Sequence, residues 1–122
     1  MTLEIRSIEK TRLVVGVTGH RNLRETELPR LRSEVRSFFE KLQREFPELP
    51  LTLLAPLAAG ADQLVAGIAL DLGIHVIAVL PVPSAIYRDD FEDVASLDEF
   101  NRQLAQCEPL ELAIIDSSNP DA

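Results

Sequence analysis

With 122 residues, the chain has room for one domain built around one core. Its net charge of -8, from 20 acids against 12 Lys and Arg, disfavours nucleic acid and anionic lipid as partners, while a local pocket for one small anion stays open. No run is apolar enough to span a membrane or to act as a secretory signal, and the lone cysteine, Cys107, has no internal partner, so a cytoplasmic protein is expected.

Residues 1–11 mix charges with isolated apolar positions and read as a short edge strand or a loose arm. Residues 12–18, RLVVGVT, are rich in β-branched side chains and read as a buried strand. After a loop over 19–26, Leu28, Leu31, Val35, Phe38, Phe39, Leu42 and Phe46 recur at steps of three and four, the mark of an amphipathic helix. Pro29 suits its first turn and Pro47 its end. LTLLAP, 51–56, is the second apolar strand. In ADQLVAGIALDLG, which follows the loop LAAG, Leu64, Val65, Ile68, Ala69 and Leu72 mark a buried helical face, with Gly73 placed for a left-handed C-terminal cap. HVIAVLP, 75–81, is the third strand. A Pro-rich loop leads to a third helix near 91–106, with Asp89 or Asp90 as its cap, and LELAIID, 110–116, is the fourth strand.

Strand and helix alternate throughout, and crossovers of this length make parallel pairs. The expected fold is therefore α/β, a Rossmann-like three-layer sandwich with a mainly parallel sheet of about four strands. Leu, Val, Ile and Ala fill such a core, in keeping with 46% hydrophobic residues and only 5% aromatics. Three helices cover two sheet faces thinly, so either another chain completes the layer or the sequence is the front part of a longer domain. Counting the four apolar strands in order, a 3-2-1-4 arrangement would put a strand-order reversal between the first and the fourth. Ligands of open parallel sheets bind at such a point, beyond the C-terminal strand ends.

Three stretches carry candidate chemistry. In Thr18-Gly19-His20-Arg21, Gly19 permits close backbone approach, Arg21 offers a planar fork of donors for phosphate or carboxylate, and His20 is a ligand contact, an acid–base group or a turn residue. The bland alternative for Arg21 is an ion pair with Glu25 or Asp62. In PLAAGADQ, 56–63, small residues lead into a helix start, where free N–H groups favour an anion; Asp62 either satisfies those N–H groups or meets a ribose hydroxyl. In YRDDF, 87–91, Tyr87 is placed to stack on a ring, while the acids read better as caps. No metal-ligand spacing, nucleophile elbow or GK[ST] phosphate loop occurs, and no metal or cofactor is expected.

Taken together and in order, GVTGHRNL, LAAGADQLVAGIALDLG and VIAVLPVP with YRDDF resemble the SLOG superfamily, the Rossmann-like group that includes DprA and the Lonely Guy phosphoribohydrolases. The likeness covers roughly residues 12–116 and is nearest to uncharacterised bacterial branches. It implies one ligand-binding loop of Gly16, Thr18, Gly19, His20 and Arg21 and a second of Gly60, Ala61 and Asp62, with Tyr87, Asp90 and Phe91 matching a feature of unassigned role. It also implies a further strand with a glycine-rich phosphate loop, and for the hydrolases a PGGxGTxxE motif. Neither occurs here, so residues 1–122 read as one SLOG-like domain lacking its C-terminal part. The expected function is binding or sensing of a nucleotide-derived, phosphorylated small molecule. A nucleotide N-glycosidic hydrolase and a self-associating structural fragment are the alternatives, so whether the chain is an enzyme stays open. A homodimer or an attached effector region is the expected protein partner.

Overall fold

In the computed structural model, residues 2–8, 12–19 and 23–112 are described. Strand β1, Thr2–Ile8, is followed after four residues by β2, Leu13–Thr18. So short a connection cannot make a crossover, and the two pair antiparallel, with Leu3 opposite Val17 and Ile5 opposite Val15. The N-terminal segment is thus an edge strand. The remaining pairs are parallel. Strand β3, Leu51–Ala55, sets Leu51 beside Leu13 and Leu54 beside Gly16. Strand β4, His75–Leu80, sets Leu54 beside Ile77, and β5, Glu108–Glu111, sets Glu108 beside Ile77.

The sheet therefore has five strands in the sequential order β1-β2-β3-β4-β5. The expected reversal between the first and last apolar strands is corrected: β1 occupies the free edge of β2, so β5 pairs with β4. The last strand also starts earlier than the apolar pattern predicts, at Glu108, and residues 113–116 of that prediction lie outside the described residues.

Helix α1, Leu28–Glu45, carries Pro29 in its first turn. Helix α2, Ala61–Asp71, ends as Gly73 predicts: the glycine has φ +72, the Ile74 N–H donates to the Ala69 carbonyl and the Gly73 N–H to that of Leu70. A single turn, α3, spans Ser84–Tyr87, within the stretch expected to be loop. Helix α4, Val94–Leu104, is capped by Asp93, which accepts from the Ser96 N–H at 2.6 Å. Asp89 and Asp90 instead belong to a short 3-10 turn, and extended Phe91 separates that turn from the helix.

Helix α2 packs against α1 on one side and α4 on the other, and lies over β2, β3 and β4. Alternate strand residues, among them Val15, Leu53, Ala78 and Leu80, join Val35 and Phe39 of α1, Val65 and Ala69 of α2 and Phe100 of α4 in one buried cluster. Val14, Leu54, Ile77, Val79 and Leu110 alternate with these and stand outside the cluster, on the other face. The described residues thus supply the sheet and one helical layer of a Rossmann-like α/β fold. No described helix is long and apolar enough to cross a membrane.

Candidate functional site

Parallel strands deliver their following loops to one end of the sheet, and at that end the loop after β3 meets the segment after β4. The loop is tightly shaped. Leu57, fully buried, adopts φ +61, a conformation that costs a branched residue about 1–2 kcal/mol. Gly60 has φ +85 and ψ -125, a region closed to side chains with a Cβ, and begins α2 as its N-cap residue. Two side chains from the start of α2 hold the loop in place. The Asp62 carboxylate, 8% exposed, accepts from the Ala58 N–H at 3.2 Å. The Gln63 amide donates to the Leu57 carbonyl at 3.3 Å and to the Ser96 carbonyl at 2.9 Å, tying loop, α2 and α4 together.

A cavity of about 200 Å³ opens above this loop. Ala58, Ala59 and Gly60 line one side, and the rings of Tyr87 and Phe91 another. The small side chains leave loop backbone accessible there, while α2 leaves its first N–H groups without partners in its own ladder, which starts with the Leu64 N–H on the Gly60 carbonyl. The aromatic wall is rigid, since Tyr87 meets Phe91 and Phe100 edge-on at ring distances of 5.7 and 5.5 Å. Asp90, Glu92 and Asp93 complete the lining with Ser96, which donates its hydroxyl to Asp93. No Lys, Arg or His stands in the described lining. The Arg88 guanidinium instead donates to Asn101 at 2.8 Å and lies over the Phe100 ring. Among the described residues no cluster of His, Cys, Asp and Glu is arranged to hold a metal ion.

The residues singled out in the sequence divide among several places. Gly60 and Tyr87 line the cavity, Ala61 is buried at the start of α2, and Asp62 faces the loop. Gly16 sits inside β2, between Glu4 and Leu54, apart from the cavity lining. Thr18 ends β2 opposite Thr2, and Gly19 follows it, exposed. His20 and Arg21 lie outside the described residues.

Sequence reasoning passed over Gln63 and Glu92. Gln63 was visible as the last residue of PLAAGADQ, but its role needs the Ser96 carbonyl, 33 positions away. No protein-family model matches this chain. Nor does any curated protein.

Proposed function

We propose that this chain binds a nucleotide-derived, phosphorylated small molecule at the C-terminal ends of its parallel strands. The cavity between the Ala58–Gly60 backbone and the Tyr87–Phe91 wall carries the reading. At about 200 Å³ it holds one moiety, a sugar or a ring, since pockets for whole drug-sized ligands run to about 300–1,000 Å³. Carboxylates of Asp90 and Glu92 suit the hydroxyl and N–H donors of such a moiety and repel a phosphate. The phosphate belongs beside the start of α2, where N–H groups and the helix dipole favour negative charge. The resemblance to SLOG proteins, which joins the loop after β2 to the one at Gly60, supports a ligand at this end of the sheet.

The test is a thermal-shift panel with AMP, cyclic nucleotides, NAD, ADP-ribose and inorganic phosphate, run on the parent and on Ala59→Leu, which fills the cavity. Ligand at about a hundred times its dissociation constant adds about 2.7 kcal/mol, or about 10 °C for a domain of this size. One nucleotide class should shift the parent but not the variant. A panel without any shift, or equal shifts in both proteins, refutes the reading.

A further inference from the structure

Helix α2 carries apolar residues beyond its buried face. That face holds Val65, Ala66 and Ala69, and beside it Leu64 and Ile68, four residues apart and half-buried at the rim of the core, reach the surface next to Gln63, Gly67 and Asp71. This strip of surface is the floor of a groove of about 870 Å³, walled by Arg32 and Arg36 of α1 and by Glu99 and Arg102 of α4. Its floor runs from Gln63 to Asp71, about 12 Å at 1.5 Å per residue, or roughly two helical turns. Gly60 borders this groove and the ligand cavity; the two are otherwise lined by different residues.

The walls differ in charge. Arg102 is paired with Glu99 on its own helix, and Asp71 adds its field to that Arg102. The α1 wall is basic: Arg36 shares its charge with Glu40 at 3.2 Å, and exposed Arg32 makes no ion pair among the described residues. In a chain of net charge -8, the groove thus carries three arginines against two acids. A concave face with an apolar floor and one basic wall takes a convex, acidic-flanked partner. A second copy of this chain fits poorly, because two grooves set face to face hold their floors apart.

We propose that the groove docks an amphipathic helix of a partner protein, with two apolar residues on Leu64 and Ile68 and an acidic flank along Arg32 and Arg36. This is helix-in-groove recognition, in which apolar anchors give affinity and the charged flank sets orientation.

The probe is a short stapled helical peptide with Leu at two positions four apart and Glu along one flank, compared with a Lys-flanked counterpart by fluorescence anisotropy. The acidic peptide should bind saturably and about two- to fivefold tighter than the basic one, the range of one exposed ion pair. Arg32→Glu should reverse that preference, Arg44→Glu, on α1 outside the groove, should leave it intact, and Ile68→Asp, checked for folding by circular dichroism, should abolish binding. Absence of saturable binding, equal binding of both peptides, or a preference indifferent to Arg32→Glu overturns the proposal. So does a concentration-dependent dimer in sedimentation that Ile68→Asp disrupts, which would assign the groove to a second copy.

Discussion

Phe100 sits under the candidate site without lining it, and its removal tests whether the cavity wall depends on the core. Its ring is fully buried, 5.5 Å from that of Tyr87, 4.9 Å from that of Phe91, with the Arg88 guanidinium 5.9 Å above. Truncating a buried Phe to Ala costs about 3–5 kcal/mol in lost transfer energy and residual cavity, and the aromatic pairs supply about 0.5–1.5 kcal/mol each of that total. Unfolding entropy of about 2.1 cal/mol/K per residue then translates the loss into a midpoint lower by about 12–20 °C. A domain of this length has about 6–18 kcal/mol to lose, so the variant stays folded at room temperature. Phe100→Leu, which keeps most of the volume, should lose about 1–2 kcal/mol. Urea titrations followed by circular dichroism, with matching slopes for all three proteins, measure both values. A loss below about 1 kcal/mol for Phe100→Ala would refute the argument, because a ring that backs both Tyr87 and Phe91 cannot be removed so cheaply.

Other outcomes test separate parts of the structure. Asp93→Ala removes the cap of α4 and should cost about 0.5–2 kcal/mol in urea, with Asp93→Asn recovering most of it. Gln103 is fully buried; its amide N–H group donates to the Gln63 carbonyl and the Glu99 carboxylate, while its Oε1 has no partner among the described residues. Gln103→Leu exchanges two good bonds for relief of that unmet acceptor and should fall within about 1 kcal/mol of the parent, whereas Gln103→Ala should lose clearly more in the same titration. Burial pushes the Cys107 thiol up to about 11, so iodoacetamide at pH 8 should label it slowly until denaturant is added, as mass spectrometry reads directly. A folded-state pKa raised in this way stabilises the protein below the unfolded value and is lost as pH climbs towards 11, so Cys107→Val should flatten the alkaline fall in stability.

Elements defined by their own residues were legible in the sequence. The three-and-four spacing from Leu28 to Phe46 gives α1 nearly to its ends, and Gly73 closes α2 as a left-handed cap. Choices made between segments were not. Strand order depends on which edge stays free, and nothing local in 12–18 announces that the mixed segment before it will take that edge. The first half of β5, Glu108 and Pro109, fell outside the apolar run that marks the fourth strand, because pairing with β4, rather than apolarity, makes it a strand; all four residues of EPLE are exposed. In DDFED four acids compete to cap one helix, and the extended Phe91 decides for Asp93. Three of these acids, Asp90, Glu92 and Asp93, converge with Ala58–Gly60 only through the tertiary fold, so the cavity was not readable from either string alone.

The sequential strand order bears on how the chain can be made. Each parallel strand docks on the one synthesised just before it, with the helix between them already available, so no position in the sheet must be held vacant for a later arrival. Contacts close locally, and a nascent chain emerging from the ribosome can add one β-α unit at a time. At each stage the newest strand is the sticky edge. Among the described residues the run reaches β5, where exposed glutamates and Pro109, which lacks an N–H, offer another polypeptide a poor template for continued stacking.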